Sequence, residues 1–276
     1  MKQSEDNHFI PMTSVSAGSG KEVKPDIYYY TNQIVNVVMV GRPGGDWVLI
    51  DAGMPGSGPT ILKVAEERFG KDNPPKCIAL THGHFDHVGG LTYLLEHWGV
   101  PVYAHINEFP YLNGSHAYPE PDPSVEGGLL AKIASIYPHE ATNVASALHE
   151  LPHHDRMPCF PEWSWISTPG HSPGHVAFYR EDDGVLISGD AVITVRQDSL
   201  YKVLLQKEEV NGPPRYLTTD WDAARQSAIT LAGLNPSLMI SGHGQFMEGK
   251  ELRTGLQKLA AEFDKIARPA YGKYTG

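Results

Sequence analysis

Short apolar runs separated by glycine- and proline-rich turns dominate this chain, and they predict strands with helices between them. Residues 26–30 and 34–40, rich in tyrosine, valine and isoleucine, predict two strands. Residues 41–46 have the composition of a hairpin turn and 47–50 read as the returning strand, so an antiparallel sheet begins here. Helices are predicted over 60–69 and 91–98, a short buried strand over 76–80, and another strand over 100–104. From residue 165 the same texture resumes, with strands over 165–168, 176–179, 185–188 and 237–240 and helices over 221–232 and 250–266. Strands and helices are thus interspersed along the chain.

Between these two regular stretches lies a different kind of segment. Residues 105–160 are broken by Pro119, Pro121, Pro123, Pro138, Pro152 and Pro158, and only 127–137 has a helical pattern. A long, partly irregular insertion of this kind reads as a lid or substrate-binding loop. Its histidines (His105, His116, His139, His149, His153 and His154) are each read as surface residues. The whole chain, 1–276, is expected to form a single domain carrying that insertion.

The candidate chemistry begins where the 76–80 strand ends. His82, His84, Asp86 and His87 follow it closely, in a stretch interrupted by Gly83 and closed by Gly89-Gly90, which is therefore read as loop. Three imidazoles and a carboxylate so close together suit a divalent cation. His82 and His84 are two apart, so an extended loop points both the same way, towards one metal. Asp86 and His87 are adjacent and turn elsewhere, which suggests a second. Such sites need further ligands, and other strand ends supply candidates. His171 stands just past the 165–168 strand, Asp190 follows 185–188, and His243 follows 237–240. Asp190 is placed to bridge two cations, against the alternative of a helix N-cap. His175, four residues after His171 in a turn, opens the next strand and reads as structural. Asp51, at the end of the 47–50 strand, is a candidate to orient a ligand. The glycine-rich loop at 54–59 lacks the ending of a phosphate-binding loop and reads as a tight strand-to-helix turn.

With these motifs in order, the chain resembles the metallo-β-lactamase-fold metallohydrolase superfamily from about Ile34 onwards. The resemblance rests on Asp51, the His82-x-His84-x-Asp86-His87 string, His171 in Thr-Pro-Gly-His, Asp190 in Ser-Gly-Asp and His243 in Gly-His-Gly. It implies an α/β fold, a four-layer αββα sandwich, with His82, His84 and His171 on one metal, Asp86, His87 and His243 on another, and Asp190 bridging. The implied cofactors are two divalent ions, zinc first, with manganese, iron and cobalt as alternatives. Asp190 sets the chain apart from true metallo-β-lactamases, which lack the bridging aspartate. Ile193 stands where acyl-homoserine lactonases typically carry a tyrosine. Hydroxyacylglutathione hydrolases share the Thr-Pro-Gly-His-Ser-Pro-Gly-His style but add a C-terminal helical segment, for which the region after His243 is short. The segment Val102-Tyr103-Ala104-His105 through Glu108-Phe109-Pro110-Tyr111-Leu112 resembles a broad, poorly characterised bacterial hydrolase branch near these two families.

The expected activity is hydrolysis of an ester-type bond (lactone, thioester or carboxylic ester) by a metal-held hydroxide, with Asp86 as a catalytic proton relay. The alternative is a sulfur dioxygenase with a single iron. A phosphodiesterase or ribonuclease, or a non-catalytic binding protein, stands further back. The net charge of −10 with scattered basic residues argues against a nucleic-acid partner and leaves a small-molecule substrate. The polar N-terminus, the lack of a membrane-length apolar run and two cysteines with no metal-like spacing point to the cytoplasm with reduced thiols.

Overall fold

A computed structural model describes residues 1–6, 8, 13–126, 129–152, 156–195 and 209–275. The chain divides into two compact units. The first comprises Met1–Tyr118, Pro138–His153 and Pro158–Phe160, and the second Pro119–Tyr137, His154–Met157 and Pro161–Gly276.

The first unit holds a seven-stranded sheet whose spatial order follows the chain. β1 (Gly20–Lys24), β2 (Ile27–Asn32), β3 (Val35–Gly41) and β4 (Trp47–Ile50) run antiparallel. β5 (Ile78–Ala79), β6 (Val102–Ala104) and β7 (Leu148–Glu150) then continue in parallel. The switch follows from the connections. A tight turn reverses β3 into β4, whereas α1 (Gly58–Phe69) between β4 and β5 and the pair α2 (Phe85–Val88) and α3 (Leu91–Trp98) between β5 and β6 are crossovers. Ile61, Ala65 and Phe69 of α1 and Leu91, Leu94 and Leu95 of α3 lie at helical spacing and pack on Val37, Met39 and Leu49. Trp47 stacks on Phe69 with ring centroids 4.2 Å apart and meets Trp98 edge-on at 5.7 Å. Each such ring withdrawn from water contributes roughly 1.5–3 kcal/mol.

The second unit holds a five-stranded sheet in the order β12, β11, β10, β9, β8. β8 (Ser164–Ser167), β9 (Val176–Arg180) and β10 (Val185–Gly189) are antiparallel neighbours, and β11 (Leu238–Ser241) lies parallel to β10. β12 (Met247–Glu248) turns back on β11. α6 (Trp221–Gly233) and α7 (Gly249–Ala261) cover it through Trp221, Ala224, Ala228, Leu231, Leu252, Leu256 and Leu259. α6 starts where expected because Asp220 caps it, its carboxylate accepting from the Ala223 N–H at 2.9 Å.

The structure departs from the sequence pattern in several places. β1 and β7 are exposed edge strands with little apolar signal, and β12 is too short to carry any. The stretch after β5 is not all loop, since residues 85–88 form one helical turn after an extended His84, with the His87 and Val88 N–H groups donating to the His84 carbonyl. The helix expected over 250–266 is interrupted at Glu262 and resumes as α8 (Phe263–Ile266). In the insertion, α4 (Phe109–Leu112), α5 (Leu129–Lys132) and a 3-10 turn (Ala134–Ile136) are all short. Residues 127 and 128, where the predicted helix begins, lie outside the described residues, as do His153 and His154. Cys77 and Cys159 are free thiols.

Gly89 shows how closely this scaffold is packed behind the 81–90 stretch. A Cβ there would stand 2.2 Å from the Met54 carbonyl carbon and the Pro55 nitrogen. Replacing Gly89 by alanine forces two backbones apart and is expected to cost about 1–3 kcal/mol. Urea unfolding of metal-free protein measures this, and an unchanged midpoint would contradict the packing described.

Candidate metal centre

In the first unit the parallel pairing of β4 with β5 brings the residues after both strands to one rim. Asp51 follows β4 in a left-handed backbone conformation, φ +62°, which aspartate tolerates better than most residues. Its Oδ1 accepts from the Thr81 N–H and its Oδ2 from the Thr81 hydroxyl, each at 2.8 Å. The same Oδ2 lies 2.8 Å from His87 Nδ1. Thr81 Oγ1, having given its proton to Asp51, accepts from His82 Nδ1 at 3.0 Å. Two rings are thereby fixed in one tautomer: His82 and His87 are protonated on Nδ1 and carry the lone pair on Nε2.

His84 is held differently. Its ring meets His82 edge-on, with centroids 4.7 Å apart, and lies 4.4 Å from the Tyr118 ring. Burial, then the Glu108 carboxyl, pushes the Tyr118 hydroxyl well above its ordinary range, so it stays protonated. Asp86 sits in the turn of α2, with Oδ2 3.9 Å from His87 Nε2. His82, His84, Asp86 and His87 are all at most 5% exposed.

In the second unit, parallel β10 and β11 end together, and the Gly242 N–H donates to the Gly189 carbonyl at 2.8 Å. This puts Asp190 and His243 at the same rim, with Asp190 Oδ2 3.2 Å from His243 Nε2. β9 is antiparallel to β10, so the 168–175 turn reaches that rim too, and His171 Nε2 is 3.5 Å from Asp190 Oδ2. The Thr218 hydroxyl donates to the Pro214 carbonyl at 2.8 Å and accepts from His171 Nδ1 at 3.1 Å. His171 is thus also an Nδ1–H tautomer with its lone pair on Nε2. Gly170 lets α6 dock beside it, because a Cβ at this φ of +128° would stand 2.3 Å from the Ala224 nitrogen.

His175 has the structural part expected of it. Its Nε2 accepts the Asp190 backbone N–H at 2.9 Å, and its Nδ1 is 2.8 Å from Thr168 Oγ1. Both ring nitrogens are engaged in fixing the turn and Asp190.

Burial to this degree is expensive for imidazoles and carboxylates, and a divalent cation is the group whose chemistry suits them. His82, His84, Asp86, His87, His171, Asp190 and His243 all belong to sets able to hold a metal ion. Tautomers that present Nε2 lone pairs are what a metal requires, so the donor set fits. Thr81 and Thr218, which set two of those tautomers, carry no distinguishing sequence signal, although Thr81 directly precedes His82. Glu108 and Tyr118 were equally illegible inside the proline-rich insertion.

A two-sheet α/β fold with buried histidines and aspartates at strand ends defines a class of metallohydrolases. The pattern described as the metallo-beta-lactamase superfamily matches residues 30–243, and the chain belongs to that superfamily. Over 260 residues it is 44% identical to the probable metallo-hydrolase YflN of Bacillus subtilis (strain 168), covering 94% of this chain and 98% of that one. Hydroxyacylglutathione hydrolase GloC of Haemophilus influenzae is 28% identical over 117 residues, 42% of this chain and 50% of that protein. Among solved structures, TTHA1623 in a di-iron-bound form aligns with a TM-score of 0.53 and 27% identity over 78% of this chain and 89% of that one. BJP-1, a subclass B3 metallo-beta-lactamase of Bradyrhizobium japonicum, aligns with a TM-score of 0.62 and 20% identity over 92% and 94%, a likeness of fold. The expected fold and family are borne out. Among the described residues no helix is long and apolar enough to cross a membrane.

Proposed function

We propose that the protein is a dinuclear metal-dependent hydrolase of ester-type bonds. The reading is supported by the membership of His82, His84, Asp86, His87, His171, Asp190 and His243 in groups of side chains able to hold an ion. Asp190, with one oxygen facing both His171 and His243, would be the ligand shared by the two ions. The observation that carries the proposal is that Nδ1 of His82, His87 and His171 is held by Thr81, Asp51 and Thr218 respectively, which suits Nε2 of each ring to an ion.

Cations bound there would acidify a water and polarise a scissile carbonyl. Within the chain, Asp51 and the two threonines hold the ligand rings in place. His175 holds Asp190 through its backbone. Asp86 takes the proton released by the attacking water on a carboxylate oxygen and passes it to the leaving group. The net charge of −10 supports a small-molecule substrate in place of nucleic acid, and a cytoplasmic setting fits the unpaired cysteines. Zinc is the first choice of metal, and the di-iron form of a structural relative keeps iron beside it.

Metal analysis of purified protein tests the reading. Two divalent ions per chain are expected. One iron would favour the sulfur dioxygenase, and none after supply of zinc, manganese, cobalt and iron would favour a binding role. A panel of lactones, thioesters and carboxylic esters, with phosphodiesters and β-lactams as negative controls, then identifies the bond cleaved.

A further inference from the structure

Gly83, between His82 and His84, is gripped by two buried side chains from the start of the insertion. Its N–H donates to Glu108 Oε2 at 2.9 Å and to the Tyr118 hydroxyl at 3.0 Å, and that hydroxyl itself donates to Glu108. Glu108 is fully buried, at the end of a 3-10 turn (Ile106–Glu108) that leaves β6. Tyr118 is 6% exposed, stacked on Tyr111 at 3.9 Å and tilted against the His84 ring at 4.4 Å. The grip also explains the glycine, since a Cβ at position 83 would stand 2.6 Å from the Tyr118 oxygen and 3.1 Å from Leu112 Cδ2.

A buried carboxyl has a high desolvation cost and is retained where its hydrogen bonds matter. Here one of those bonds comes from the His82–Gly83 peptide, the first of the two that separate the neighbouring imidazoles. We infer that Glu108 and Tyr118 are positioning residues for a metal centre, clamping the Gly83 peptide so that the His82 and His84 rings are held in ligating orientation before any ion arrives. The inference rests on the metal-centre reading above. It assigns Glu108 and Tyr118, in the first part of the insertion, to the support behind two candidate ligands. Preorganisation of this kind acts on affinity by removing the ordering cost from the binding step.

Cobalt titration of the metal-free full-length protein, against a competing chelator and with the visible cobalt bands recorded, tests it without recourse to turnover. Glu108→Ala is expected to weaken cobalt binding about 10–100-fold, as loss of such an outer partner typically does. Glu108→Gln keeps an acceptor for the Gly83 N–H and is expected to restore most of the affinity and the band shape. Tyr118→Phe keeps the ring and loses the hydroxyl, and it is expected to fall between wild type and Glu108→Ala. Should Glu108→Ala fail to fold, Tyr118→Phe carries the test. Wild-type affinity in Glu108→Ala or in Tyr118→Phe would overturn the clamp, as would Glu108→Gln binding no better than Glu108→Ala. Failure of the wild-type protein to bind cobalt would instead overturn the metal centre on which the clamp depends.

Discussion

His84→Ala is expected to reduce turnover of the best ester-type substrate by on the order of 1,000-fold, in line with the loss of one group that stabilises a transition state. The ring is 5% exposed and meets the His82 ring edge-on, and both histidines belong to groups able to hold an ion. Its backbone is extended, φ −63° and ψ 154°, a conformation alanine adopts freely, so the loss is chemical and not conformational. Metal content is therefore expected to drop, and metal-free protein to lose only the stability that the ring's contacts with His82 and Tyr118 contribute. Full turnover in His84→Ala would remove that residue from the mechanism.

The second large effect is expected at a residue that holds no metal in this reading. Asp51→Ala strips the acceptor from the Thr81 N–H, the Thr81 hydroxyl and His87 Nδ1. A buried donor left without a partner costs roughly 1–3 kcal/mol, so metal-free protein is expected to lose about 3 kcal/mol or more in urea unfolding. The Thr81 hydroxyl would also be free to turn and donate to His82, reversing the tautomer that places its lone pair on Nε2. Loss of about 10–100-fold in metal affinity at the positions served by His82 and His87 is expected on top of the destabilisation. Asp51→Asn retains one acceptor oxygen but turns an amide donor towards the Thr81 or His87 hydrogens, and should fall in between. An Asp51→Ala protein that holds two ions as tightly as wild type would show that these rings are ordered by something else.

These two effects differ in how far the chain announces them. His82, His84, Asp86 and His87 stand together after an apolar strand, and His171, Asp190 and His243 each follow another. Ligands that must share an ion are carried on strand ends because strands are the rigid parts of the fold, and that leaves a linear trace. Strands buried on both faces, such as β3, likewise announce themselves by near-continuous apolar residues. The exposed β1 and β7 do not, because pairing along an edge needs backbone alone.

The amino-acid sequence by itself determined the α/β class and the family, and it supplied seven histidine and aspartate side chains as candidate ligands. Their residue types and order are written locally. Only the tertiary structure decided what holds Nδ1 of His82, His87 and His171, because Asp51 reaches Thr81 and His87 across 30 and 36 residues, and Thr218 reaches His171 across 47. It likewise decided the role of Glu108, whose side chain meets Gly83 from 25 residues away. A hydrogen bond is a statement about distance and direction in space, and a carboxyl or hydroxyl group far along the chain shows neither until the backbone has folded.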